Sequence, residues 1–440
     1  KKMTKKKKWL IAIVLIATLL GSFGYYMITK KAKIIPYYSQ LTMNYVENNK
    51  DVQPKAQKTA AYVGSTKCGE CHKDNHKAWQ SSNHSKIIQS IKDRPSSVIA
   101  DFGKLPADAD FNKSDAVYTI GGKFKQRYMI EKDGDYRIGN YQWNTQLGKW
   151  QPFAAYKDWY MGGFENNNTA VPTGKTCDGC HFTGYMSKEQ RVEPAIACES
   201  CHGPGSAHAK APKEPNIYRA TMSDPRKATE VCLQCHMRNR DKRLDNNMSA
   251  IKDLFGDVRD YPKGYEPGKA LINYKTPAPF EHGKETGEFY GNGVGKKNRT
   301  QGNEYVKSRM YAHGITCVNC HNPHKLDNTA QKPLGDESCM KCHETGSVVG
   351  PHAINIEAHT KHKVGSKGSS CIECHMPKTG KHLDNSPLTV RTHIFGFITP
   401  MESKKYGVAN ACNNCHKDKS VDWAIDVTNK WGMNGGWDKR

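Results

Sequence analysis

Residues 313–324 read His-Gly-Ile-Thr-Cys-Val-Asn-Cys-His-Asn-Pro-His, and the string at their centre, Cys317–Cys320–His321, decides how the chain is organised. Cys-x-x-Cys-His occurs eight times. The others are Cys68–Cys71–His72, Cys177–Cys180–His181, Cys198–Cys201–His202, Cys232–Cys235–His236, Cys339–Cys342–His343, Cys371–Cys374–His375 and Cys412–Cys415–His416. These eight pairs use all 16 cysteines and leave none for a disulfide framework. His fills 19 of 440 positions, so its placement after every pair has chance odds of roughly one in 10¹¹, and the pattern is that of c-type haem attachment.

Residues i and i+3 share one side of a helical turn, so two thiols can reach the two vinyl groups on one porphyrin edge. The adjacent His then supplies the proximal iron ligand. A zinc ribbon needs two Cys-x-x-Cys pairs per metal and no His after each. Iron–sulfur ligation asks for tighter cysteine runs. Numbered 1 to 8 along the chain, the motifs imply eight covalently bound haem c groups with iron.

The composition agrees. Apolar side chains make up 37%, below the roughly 45–50% (Gly included) of ordinary globular chains, and porphyrins spaced about one per 44 residues would supply the missing apolar interior. The formal charge of +23 includes nine Lys and no acid within residues 1–33, which leaves +14 beyond them. Two propionates per haem bring about sixteen negative charges, so the basic excess reads as counter-charge for cofactor, and no nucleic acid is expected as a partner. A cytosolic enzyme and a disulfide scaffold are excluded as well.

Residues 9–28, WLIAIVLIATLLGSFGYYMI, match the length of a bilayer-spanning helix. Lysines flank this run, six of them before it, so the positive-inside bias puts residues 1–33 at the cytoplasmic face with a transmembrane anchor at 9–28. A cleaved secretory signal is the alternative reading, and either places the motifs outside the cytoplasm, in the periplasm or at the cell surface. Residues 34–60 read as a tether, 61–430 as an octahaem cytochrome c domain, and 431–440 as a tail.

The fold class expected is mainly α with much irregular loop around a haem-dominated core. One small antiparallel β element is expected around 115–145, inside an insertion at 110–150. There Val117–Ile120, Phe124–Ile130 and Tyr136–Trp143 are strand-like and separated by Gly121–Gly122 and Asp133–Gly134. Glu304–Ala312 and Val421–Trp431 read as helices. Motif 1 stands apart, 109 residues before the next cysteine.

Eleven His lie outside the motifs, enough to give every iron a second imidazole. A His a few residues from one motif cannot fold back to the far face of the same iron, but it can reach a neighbouring haem. The strings YVGSTKCGECHKDNHKAWQSSNH (62–84), EPAIACESCHGPGSAH (193–208), HGITCVNCHNPH (313–324), CIECHMPK (371–378) and RTHIFGFITP (391–400) carry a family likeness. The chain resembles multihaem cytochromes related to hydroxylamine oxidoreductase and pentahaem nitrite reductase, nearest to the multihaem half of tetratricopeptide-repeat cytochromes. That resemblance implies distal positions for His84, His208, His282, His313, His324, His362 and His393. His359, His76, His352 and His382 compete for the eighth, with His359 preferred.

Bis-His ligation leaves electron transfer as the function, so the expectation is a membrane-anchored conduit with no catalytic residue. Its partners would be redox proteins or an extracellular acceptor such as ferric iron, and copies of the chain could associate into a longer haem chain. The alternative is an oxidoreductase acting on a small nitrogen or sulfur compound: nitrite, hydroxylamine or tetrathionate. Against it, the Cys-x-x-Cys-Lys site usual in pentahaem nitrite reductases is absent.

Overall fold

The computed structural model describes residues 60–153, 172–187, 190–213, 215–219, 224–241, 261–278, 280–325, 335–343, 355–382 and 387–432. The expected anchor, the tether up to residue 59 and His352 lie outside them. Among the described residues no helix is long and apolar enough to cross a membrane.

Helices dominate, and most are short. Those of motifs 3, 5 and 7 are Cys198–His202, Cys317–Cys320 and Cys371–His375. Helices of one turn have no stability of their own and are held by what they pack against. Longer ones are Pro225–His236, which begins with a proline behind the Asp224 cap and carries motif 4, and Val421–Lys430, capped by Ser420. The helix expected over 304–312 is instead two, Gln301–Tyr305 and Arg309–Ala312. Ser308 breaks it by accepting a hydrogen bond from the Tyr311 N–H as the cap of the second.

The β element is larger than expected. Six strands form one antiparallel sheet: β1 (Ile88–Ser90), β2 (Ala116–Gly121), β3 (Lys125–Lys132), β4 (Asp135–Ile138), β5 (Tyr141–Asn144) and β6 (Lys149–Pro152). The order is β1-β2-β3-β5-β6, with β4 pairing the far end of β3. Alternate side chains of β3 serve two apolar clusters. Tyr128 and Ile130 join Phe111, Trp143 and Trp150. Met129 joins Ile88, Ile138, Phe153, Phe182 and Cys177, so one face of the sheet rests directly on motif 2. The other two clusters are small, around Leu233–Met237–Leu271 and Val294–Ile394–Ile398.

Three side-chain ties fix the sheet to its surroundings. Arg191 donates to Asp178 of motif 2 at 2.6 Å and to Asp135 of β4 at 3.2 Å. Lys125 donates to the His382 carbonyl at 3.0 Å. The His382 ring stacks on Phe124 at 3.7 Å and meets Thr389 Oγ1 through Nδ1.

Candidate haem sites and their ligand geometry

Each motif folds as a helical turn. The His N–H donates to the carbonyl of the first cysteine at 2.9 Å in motif 1, 3.1 Å in motif 2, 2.8 Å in motif 5 and 2.7 Å in motif 8. None of the 16 cysteines is paired in a disulfide.

The imidazoles form pairs. His72 faces His208, His84 faces His236, and His202 faces His324, each with ring centres 6.2 Å apart. His359 faces His375 at 6.2 Å, His362 faces His416 at 6.3 Å, and His321 faces His393 at 6.4 Å. A metal–imidazole bond of about 2.0–2.1 Å plus roughly 1.1 Å from nitrogen to ring centre gives about 6.3 Å across one ion. The spacing therefore fits two axial imidazoles on opposite faces of a haem iron. Among the described residues no three His, Cys, Asp or Glu side chains converge as a protein-only metal cluster would require.

Every pair joins one motif histidine to one outside the motifs, and the partner comes from elsewhere in the chain. His208, just after motif 3, faces motif 1; His84, after motif 1, faces motif 4; His324, after motif 5, faces motif 3. The second ring nitrogen is oriented in several cases, as ligating histidines require. Nδ1 meets the Tyr218 carbonyl in His202 (2.8 Å), the Thr360 carbonyl in His362 (2.6 Å), the Arg391 carbonyl in His393 (3.1 Å) and the Asn216 side chain in His208 (3.2 Å). Burial holds His236 down to about 3 and His393 to about 4, so both are neutral, the form that binds metal.

Motifs 2 and 6 differ. No imidazole pair at this spacing includes His181, His343, His282 or His313 among the described residues. His282 lies against Phe280 and Tyr406, and His76 packs on Trp79. His382 belongs to the sheet contact.

The thiols give the order of the motifs in space. Cys68 lies within hydrogen-bonding reach of Cys198, Cys180 of Cys235, Cys232 of Cys317, and Cys339 of Cys371. Gln234 of motif 4 donates to the Ser200 carbonyl of motif 3 at 2.9 Å, the helices of motifs 7 and 8 lie against each other, and Cys320 of motif 5 lies near Cys339 and Cys342 of motif 6. The motifs run 1–3–4–5–6–7–8, with motif 2 branching from motif 4. Motif 1, remote in sequence, abuts motif 3.

Sequence reasoning missed the acids that hold this order. Buried Glu199, inside motif 3, accepts from the N–H groups of Val63, Gly64 and Gly205 at 2.7–3.1 Å and so seats the start of motif 1. Glu193 accepts from Ser65 N–H and Oγ. Buried Glu304 accepts from Gly295 N–H (2.7 Å), Thr392 Oγ1 (2.9 Å) and His393 N–H (2.8 Å), fixing the segment that brings His393 to His321. Beside it Lys307 donates to the Gly293 carbonyl, and burial pushes its ammonium down to about 7 against the pull of Glu304. The signal for Glu193 and Glu199 lay in the string 193–208; nothing in the sequence marked Glu304.

The family model of cytochrome c554 and c-prime matches residues 67–119 and 144–203, leaving out the segment that carries β3 and β4. No curated protein matches the chain. Among solved structures the chain is similar to the outer cell wall cytochrome OcwA, at 23% identity and a TM-score of 0.66 over 84% of this chain and 86% of that one. The undecahaem cytochrome from the S-layer of Carboxydothermus ferrireducens matches at 19% identity and 0.48, over 88% and 62%. The octahaem sulfite reductase MccA of Wolinella succinogenes matches at 15% and 0.42, over 79% and 60%. The fold is that of a multihaem cytochrome, with short helices, irregular loops and small antiparallel sheets, and it is similar to that of OcwA.

Proposed function

We propose that the chain is an octahaem c-type cytochrome that conducts electrons outside the cytoplasm. The observation that carries this reading is the joint geometry of imidazoles and thiols. Six imidazole pairs have the spacing of six-coordinate irons, and neighbouring thiols join motif 1 to 3, 2 to 4, 4 to 5 and 6 to 7. Haems at those motifs would fill the space between the small side-chain clusters and stand edge to edge. His282 and His313 are then the candidates for the two remaining distal positions. The run Trp9–Ile28 would hold the conduit at the membrane, motif 1 would receive electrons there, and motif 8 would pass them to a redox protein, ferric iron or another copy of the chain.

A second reading follows from motif 2. Among the described residues no imidazole faces His181, and an iron left open there would offer the coordination position that an oxidoreductase of nitrite, hydroxylamine or tetrathionate needs. The test is to reduce the purified protein and mix it with acceptors. A conduit is oxidised rapidly and with little selectivity by chelated ferric iron, and slowly by the three small molecules. Saturable turnover with one of those three, lost on His181→Ala, would establish the enzyme instead.

A further inference from the structure

Residues 390–393 lie between two haem motifs and are held from both. The helix of motif 7, Cys371–His375, is five residues long, so its last carbonyls depend on partners outside it. Arg391 supplies them. Its Nη1 donates to the carbonyls of Ile372 at 3.0 Å and Met376 at 2.9 Å, and its Nη2 to Glu373 Oε1 at 2.6 Å. A planar guanidinium can make all three bonds at once, and its charge suits the C-terminal end of a helix.

The backbone of Arg391 carries this hold onward. Val390–Arg391 forms a short strand against Lys378–Gly380, the segment that leaves motif 7, and the Thr392 N–H donates to the Pro377 carbonyl at 3.0 Å. His393 Nδ1 then donates to the Arg391 carbonyl at 3.1 Å. With the proton held on Nδ1, the bare Nε2 is left for a metal. The ring so held faces His321 of motif 5, with 6.4 Å between ring centres. Glu304 accepts from the His393 N–H and so fixes its backbone, while the Arg391 carbonyl fixes its ring.

We propose that Arg391 is the positioning residue for the distal ligand of motif 5, and that it makes ligation there depend on an intact motif 7 helix. Loss of the guanidinium loosens two segments together. The motif 7 helix loses the partners of its last carbonyls, and the strand that carries His393 loses its side-chain anchor. The inference rests on the eight-haem reading and concerns the iron between His321 and His393.

The experiment measures the high-spin ferric signal of the full-length holoprotein by electron paramagnetic resonance in wild type, Arg391→Met, Arg391→Lys and Glu373→Gln. Haem on the peptides of motifs 5 and 7 is verified by mass spectrometry. Arg391→Met should add a high-spin signal approaching one haem per chain. Arg391→Lys, which keeps the charge but lacks the fork that reaches both carbonyls, should add a smaller one. Glu373→Gln, which keeps an acceptor for Nη2, should add the least. Two further backgrounds identify the iron concerned. Added to His393→Ala, which already opens motif 5, Arg391→Met should change nothing. Added to His359→Ala, which opens motif 7, it should raise the signal further. If Arg391→Met fails to mature, Arg391→Lys in the same two backgrounds decides the matter. The reverse pattern, or a lowered unfolding midpoint with the wild-type spin state, overturns the proposal and leaves Arg391 a structural clamp on motif 7. A motif 5 peptide without haem, or a His393→Ala protein with the wild-type spin state, overturns the reading of that ligand pair and the proposal with it.

Discussion

His208 shows how ligation crosses the chain. It sits six residues after His202, yet its ring faces His72. His208→Ala is expected to produce one high-spin ferric haem by electron paramagnetic resonance, at motif 1 and not at motif 3. The assignment is checked in a background lacking Cys68 and Cys71, where the new signal should vanish; its survival there would refute the pairing. Lys307 offers a pH test. Its folded-state value is pushed down to about 7 from an ordinary 10.5, so between these limits the unfolded chain holds a proton that the folded chain has released. Stability therefore rises with pH across that window. The unfolding midpoint of the wild type should gain on that of Lys307→Met between pH near 7 and pH near 10. A constant difference would show that the ammonium is not held down.

The inserted sheet is joined to motif 2 by Arg191, which bridges Asp178 and Asp135 with little solvent access. Arg191→Met strands Asp178, whose carboxyl burial already pushes up. Removing one member of a buried pair costs about 3–5 kcal/mol, and a urea titration should register a loss of that order. A loss below about 1 kcal/mol, the level of an exposed pair, would mean that the bridge is not formed. Parts of this sheet could be read from the sequence. The strand-like runs 117–120 and 124–130 mark β2 and β3 within two residues, because β-branched and aromatic side chains recur in both and the turn pairs Gly121–Gly122 and Asp133–Gly134 bound them. The expected strand 136–143 is two strands, since Gly139 breaks it where the Phe111 ring packs against the backbone. β1 and β6 were not foreseen. Both are short edge strands, paired on one side only, and β6 ends on Pro152, which an edge tolerates. The attachment cysteines were legible because covalent chemistry fixes their spacing. The pairing of histidines was not, because it depends on which distant turns come together.

If the chain is the proposed conduit, electrons should traverse it faster than they enter or leave it. Rates of oxidation by chelated ferric iron should then vary with acceptor concentration and ionic strength, and stay unchanged by substitutions at interior motifs that preserve haem content. A rate that saturates early and responds to an interior substitution would place the slow step inside. The expected anchor has its own check: the full-length chain should stay with membranes until detergent is added, and a mature N-terminus between residues 21 and 35 would exclude an uncleaved helix. The imidazole pairs also bear on biosynthesis. His72 must wait for His208, His84 for His236, and His202 for His324, whereas His359 meets His375 within 16 positions of sequence. A chain exported from its N-terminus would thus present its first haems half-ligated while later segments are still being delivered. The irons then act as cross-links that close large loops late, and each closure removes chain entropy that grows slowly with loop length. The pairs can close only in the order in which their later histidines emerge, 208, 236, 324, 375, 393 and 416, so ligation would run from the N-terminus toward the C-terminus, with the shortest wait at His359 and His375.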